Sequence, residues 1–406
     1  MEMTAAARKT FIASFLGWTL DAFDFFLLTF VITRIATNFN KEIAEVAFAL
    51  TLTLACRPIG ALLFGWLADR YGRRTPLMVD IAFYSVIELL TAFSPNFTIF
   101  LVLRALYGIA MGGEWGLGAA MAMESLPPQR RGFFSGFLQE GYMVGYLLAA
   151  LAYFLVFNFT HWDWRGLFVI GVLPAGLIFF IRSSVPESPV WLAGRAQRSA
   201  PATGLLLRSL RAHWPLFIYA VAFLAAMNAM SHGTQDLYAT FLEKGRGFSH
   251  GQVTLLSVIA AVGAIAGGIF FGTLSQRFGR RAIVMGCALL AVGAIPLWVF
   301  SPTITLLAAG AFAMQLAVQG AWGVIPAHLN ELSPAEVRGT FPGLTYQLGN
   351  LIAAGVAQLE ASIAKHSTYA QAMATVVIGV LVVVFALAAL GYFVRPENRH
   401  ETLTGS

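Results

Sequence analysis

Long apolar runs alternate with short polar turns along the whole chain. Twelve runs can be marked, at about 11–36, 44–67, 75–93, 97–123, 132–157, 164–184, 214–241, 250–274, 281–300, 303–330, 339–363 and 370–394. Each approaches the roughly 20 mostly apolar residues that a helix needs to cross a bilayer. In lipid the backbone must satisfy its own hydrogen bonds, and runs of this length do so as helices. The pattern predicts an all-α membrane protein of twelve transmembrane helices. One interval breaks the rhythm. Residues 185–213 form a longer polar stretch with Arg195, Arg198, Arg208 and Arg211. It reads as a linker between a six-helix bundle at 1–184 and a second bundle with a short tail at 214–406.

Composition agrees with that solvent. Of 406 residues, 58% are hydrophobic and 11% charged, against about 25% charged in soluble domains. The net charge of +6 would suit nucleic acid if the cations were clustered, but they alternate with the loops. Arg8, Lys9, Arg70, Arg73, Arg74, Arg130, Arg131, the linker arginines, Arg277, Arg280, Arg281, Arg338, Arg395 and Arg399 fall on one side. Lys41, Arg165, Lys244, Arg246 and Lys365 fall on the other. The positive-inside rule then places both termini and the linker in the cytoplasm, and nucleic acid drops out as a partner. Cys56 and Cys287 lie in apolar runs and read as small buried hydrophobes, not a disulfide or metal site. The first apolar run has no small-residue cleavage site after it and is read as retained.

The chain repeats itself. Gly65-x-x-x-Asp69-Arg70-x-Gly72-Arg73-Arg74 recurs as Gly272-x-x-x-Gln276-Arg277-x-Gly279-Arg280-Arg281, 207 residues on. At the same offset Trp115, Gly116, Glu124, Arg131, Gly132 and Gly136 recur as Trp322, Gly323, Glu331, Arg338, Gly339 and Gly343. Two segments in one register indicate a duplicated six-helix unit. Here the chain resembles the major facilitator superfamily. The loop at 65–74 is similar to that superfamily's loop between helices 2 and 3, and Arg104-x-x-x-Gly108-x-x-x-Gly112-Gly113 to its helix 4 pattern. The resemblance implies two six-helix bundles related by an axis along the membrane normal, with a central path and alternating access. The loop's Gly65 and Gly72 allow a tight turn, and Asp69 is expected to contact the other half and stabilise one conformation. Arg73 and Arg74 are expected at the phospholipid interface, and Arg70 belongs to the same loop motif. Gln276 departs from Asp69 and weakens the second loop as a charge latch.

Polar groups inside the runs are costly and commonly functional. Run 1 has Asp21 and Asp24, run 2 Arg57, run 3 Asp80 and Glu88, run 4 Arg104 and Glu114, and run 5 Gln139 and Glu140. Run 10 has Gln315, Gln319 and His328, and run 11 Gln347, Asn350 and Glu360. His328 and Glu360 are expected at the membrane interface. Arg57 needs an anionic partner, which is Asp21, Asp24 or a substrate carboxylate. Run 7 is the densest. Asn228, His232 and Asp236 step by four along one helical face, beside Gln235. An imidazole with an unperturbed pKa of about 6.5 is suited to carrying a proton; a His–Asp bond locking helices together is the alternative.

Run 7 sharpens the resemblance. Asn228-x-x-Ser231-His232-x-Thr234-Gln235-Asp236-x-x-x-Thr240 is similar to the signature of lactate/pyruvate:proton symporters in the sialate/carboxylate:proton symporter family. Run 5, from Ser135 through Gln139, Gly141, Tyr142 and Gly145 to Tyr146, resembles the same family. The resemblance implies proton coupling by His232 and Asp236 and substrate binding supported by Asn228 and Gln235. Gln347 and Asn350 resemble its helix 11 polar pair, and Arg57 its helix 2 arginine.

These features point to a proton-coupled importer of small monocarboxylates such as lactate or pyruvate. Sialic acid and dicarboxylates are the competing substrates; one central cation favours a single carboxylate. Asp21 and Asp24 are further candidates for proton coupling, and Tyr142 and Gln139 for substrate binding. An apolar lining of Phe23, Phe25, Phe26, Tyr142 and Tyr346 is expected. A multi-pass monomer of a bacterial-type inner membrane is expected, with no cofactor and no metal. A membrane sensor would need a signalling domain, for which tail and linker are short. A hydrolase would need a nucleophile facing its base, and Ser231 points away from His232 along the helix.

Overall fold

The computed structural model describes residues 3–197, 205–397 and Leu403. Arg198 of the linker and Arg399 of the tail lie outside the described residues, as does the side chain of Arg195. Twelve spans follow in order. They are α1 (Ala5–Phe39), α2 (Ile43–Tyr71), α3 (Arg74–Ala92), α4 (Phe97–Ser125), α5 (Arg131–Gln139 and Gly141–Phe159) and α6 (Trp164–Ile170 and Ala175–Ser184). The rest are α7 (Trp214–Gln235, continued by Tyr238–Thr240), α8 (His250–Phe278), α9 (Arg280–Val299), α10 (Ile304–Trp322 and Ile325–Leu332), α11 (Phe341–Ala353 and Val356–Ala364) and α12 (Tyr369–Val394). Eleven of these are long and apolar enough to cross a bilayer. The exception is α11, which divides at Ala354–Gly355 and carries Gln347, Asn350 and Glu360. The linker holds two short helices, Pro189–Gln197 and Leu205–Ala212.

Local chemistry sets the ends. Asn96 accepts from the Ile99 amide at the start of α4, and Ser249 and Thr368 form capping boxes with Gln252 and Gln371 at α8 and α12. Gly72 and Gly279, 207 residues apart, end α2 and α8 at φ 99° and 107°, a region that only glycine enters freely. Close approach is also written in glycine. A Cβ on Gly60 of α2 would run into the Ile109 backbone of α4, and one on Gly267 of α8 into the Leu316 backbone of α10. Without a hydrophobic drive between helices in lipid, such small-residue contacts hold bundles together.

The spans pack in two groups. Within the first, α2 packs on α4, α1 on α5 and α4, and α3 on α4; within the second, α8 and α9 pack on α10, and α7 on α11 and α12. The groups meet where α5 crosses α8 and where α11 crosses α2 and α4. Only the pieces of α5 and α11 nearest the glycine–arginine loops, Arg131–Gln139 and Phe341–Ala353, carry these main crossings. The halves are therefore joined at one end, here called the loop end.

Candidate functional site

His232 and Asp236 face the join between α7 and α11. The helix turns after Gln235, and Asp236 Oδ2 lies 3.0 Å from His232 Nδ1. On its other side His232 Nε2 stands 3.1 Å from Asn350 Oδ1. The side chains are 27% and 41% exposed for His232 and Asp236, so the pair borders open space while Asn350 is buried. Asn228 and Gln235 do not join them. The Asn228 amide donates to the Leu224 carbonyl of its own helix, and Gln235 Nε2 donates to Gln315 Oε1 of α10 at 3.0 Å. Gln315, whose own amide reaches Thr234, and Trp322, which donates to Ser231 Oγ at 2.6 Å, anchor α7 to α10. Neither had been assigned a role from sequence. Trp322 does have a visible signal, its repeat partner Trp115.

Arg57 lies across the join, in α2. It is buried, its guanidinium is 5.8 Å from the Tyr346 ring centroid of α11, and Nε and Nη2 have no hydrogen-bond partner. It forms no ion pair with Asp21 or Asp24. Gln347, one residue on from Tyr346, is buried with both amide atoms unpartnered. Trp115 stacks on Tyr346 at 4.5 Å, Trp322 meets the same ring edge-on at 5.7 Å, and Trp18 stacks on Tyr142 at 5.7 Å. Gln139 receives the Trp115 indole N–H on its side chain and that of Trp18 on its carbonyl. Gln139 is thus held by tryptophans of α1 and α4. Of the expected aromatic lining, Phe26 joins Tyr142 at 5.1 Å. Phe25 meets Phe26 edge-on at 5.4 Å, and Phe23 is buried in an apolar cluster of the first half.

Asp21 and Asp24 lie deep in the first half with Asp80 and Glu114, all fully buried and without a hydrogen bond to their carboxyl oxygens. Nearby Arg104 forks onto Glu88 at 3.2 and 2.8 Å. Two expectations of interface placement fail. His328 is buried against Phe223, and Glu360 is buried beside Gly233. Each lies on the inward face of its helix, which distance from the helix end does not reveal.

The loop motif is a set of clasps. Asp69 accepts from Gly339 N at 2.7 Å, Thr340 N at 3.1 Å and Thr340 Oγ1 at 2.7 Å, all in the other half. Arg73 is not at the lipid interface. It is buried and forks onto Glu124 at 3.2 and 3.0 Å while reaching Asp69 at 3.2 Å. The copy repeats it: Arg280 forks onto Glu331 at 3.0 and 2.8 Å, and Gln276 Oε1 takes Gly132 N at 3.3 Å. Arg70 stays exposed, over the Trp66 and Tyr71 rings, and Arg74 donates to the Arg182 carbonyl. Glu187 accepts from the Arg73 and Arg74 amides, and Glu397 from those of Arg280 and Arg281. Both glutamates follow a proline, at 186 and 396. That Pro-Glu pair is a signal readable in the sequence.

Paired helical bundles that span lipid, with polar side chains meeting between them, are the build of a membrane transporter. The sequence model of the Major Facilitator Superfamily matches residues 14–357 and 221–406. The chain is 29% identical over 437 residues to the carboxylic acid transporter protein homolog of Saccharomyces cerevisiae, across 99% of this chain and 70% of that one. It is 31% identical over 396 residues to the citrate-proton symporter of Klebsiella pneumoniae, across 87% and 86%. Its fold matches the proton:xylose symporter XylE with a TM-score of 0.78 at 19% identity, covering 98% of each chain. The chain belongs to the Major Facilitator Superfamily and is a multi-pass membrane transporter, not an enzyme.

Proposed function

We propose that this transporter imports small monocarboxylates of the lactate or pyruvate kind together with protons. The observation that carries this reading is His232 set between Asp236 and Asn350, across the path from an unpaired Arg57. Both ring nitrogens face oxygens, so the imidazole satisfies both contacts when it carries two protons. When it loses one, a nitrogen becomes an acceptor, and the Asn350 amide must turn to offer its N–H₂. Loss of the proton is then felt in α11, which also holds Gln347 and Tyr346. Arg57 takes the substrate carboxylate in a two-pronged bond, which repays the cost of a buried unpaired guanidinium. Proton and anion leave together, and the cycle moves no net charge if one of each is carried.

Relatives named for carboxylic acid and citrate–proton transport support the substrate class and the coupling. Arg57, buried beside Tyr346 with Nε and Nη2 unbonded, favours one carboxylate over a dicarboxylate, and the aromatic cluster of Trp18, Trp115, Tyr142, Trp322 and Tyr346 favours a small acid over sialic acid. We place the protein as a monomer in a bacterial-type inner membrane with both termini cytoplasmic. The units 1–184 and 214–406 move about the 185–213 linker, and the loop end is the closed cytoplasmic side. The test is uptake of labelled lactate, pyruvate, succinate and sialic acid into proteoliposomes, with and without an inward proton gradient. Lactate or pyruvate accumulation should follow the gradient; uptake indifferent to it sinks the symport reading. His232→Ala should lose gradient-driven accumulation while retaining most counterflow exchange. Equal loss in both assays would make His232 a packing residue.

A further inference from the structure

α5 breaks at a single residue, Glu140, between Arg131–Gln139 and Gly141–Phe159. The break falls where α5 crosses α8. Glu140 lies against Gly268 of α8, where any Cβ would strike its Oε1. Gly268 also meets Gly136 of α5 and Gly323 of α10, so the carboxyl is shut into the seam between the halves. Glu140 is buried, and Oε1 has no hydrogen-bond partner.

The groups around this turn are neutral. From α1 come Trp18, which donates to the Gln139 carbonyl, and Thr19 against Gly141. From α4 comes Trp115, on Gln139; from α8, Gly268; from α10, Gln319 near Gly268, and Gly323. Among the described residues, no cation and no second carboxylate bears on Glu140. An ionised carboxylate enclosed with an oxygen left unbonded costs several kcal/mol. That cost vanishes if the group holds a proton or if the seam opens to water. The repeat supplies an internal comparison: 207 residues on, in α11, stands Gln347, an amide of nearly the same shape that cannot ionise.

We propose that Glu140 is a proton-binding site that gates the α5–α8 seam: with its proton the loop end closes, and without it the halves part. The inference rests on reading the halves as units that close and part during transport. It makes the closed state bind one proton more than the open state, whichever acid is carried. One linked proton changes the ratio of closed to open molecules by up to about tenfold per pH unit.

The test needs no substrate. Spin labels at Gln129→Cys and Arg277→Cys, exposed positions on either side of the seam, report its width in a chain with Cys56 and Cys287 changed to alanine. The separation distribution is measured in nanodiscs between pH 5 and 9. The parent should lose its closed population as pH rises. Glu140→Gln, and independently Glu140→Ala, should flatten that response and stay closed at high pH. Profiles that coincide for parent and both variants, sloping or flat, overturn the proposal. Because nothing is transported in this measurement, failed lactate uptake would count against the substrate reading alone.

Discussion

At the scale of single residues, buried polar atoms with nothing to bind carry the proposed function. Arg57 offers Nε and Nη2, which is the ground for proposing it as the anion site. Arg57→Ala should weaken carboxylate binding by about 2–5 kcal/mol, read by calorimetry on purified protein. Arg57→Lys should restore little of it, because a point charge cannot reproduce the fork. Unchanged affinity in Arg57→Ala would make the residue structural. Much of this was legible beforehand. His232 and Asp236 were visible as a four-residue step in an apolar run, and Asn350 as a polar residue in another. What the sequence could not tell was direction. Asn228 turns its amide back onto its own helix and Gln235 turns to α10, though both sit within a turn of His232. Periodicity places a residue on a face; it does not choose a partner.

At the scale of elements, twelve apolar runs became twelve spans, and the repeat became a repeated packing plan. The breaks were not legible. α5, α6, α7, α10 and α11 each divide inside a single run, because the overall run of apolar residues does not mark where a turn falls. Glycines foretold closeness better than composition did. Gly267 lets α8 press on the Leu316 backbone, as Gly60 lets α2 press on Ile109. Gly267→Leu should force these helices apart and destabilise the fold by about 1–3 kcal/mol or more. A lowered Tm in detergent, with less folded protein recovered, is the expected outcome. An unchanged Tm would mean that the crossing tolerates a side chain. Gly293, which has nothing within 4 Å of a built Cβ, is the control position and should accept alanine without loss.

At the scale of the whole molecule, the halves are held by two clasps of one design and unequal strength. Asp69 grips Gly339 and Thr340 with a carboxylate at distances down to 2.7 Å, whereas Gln276 reaches Gly132 with a neutral amide at 3.3 Å. Bonds to charged acceptors are about twice as strong as neutral ones, and each is worth about 1.5–3 kcal/mol. Asp69→Ala should therefore lower the population closed at the loop end at least tenfold, as read by the same label pair across the seam. No change would show that the clasp is ornamental. The substitution at 276 was visible in the sequence; that the amide still reaches across required the fold. Two clasps of different strength do not release together. The weaker edge is expected to part first and the Asp69 edge to follow, so the halves would unzip from one side rather than rock evenly about their shared axis. The leading edge is then the α5–α8 side, and whatever leaves the path would slip out past α8 first.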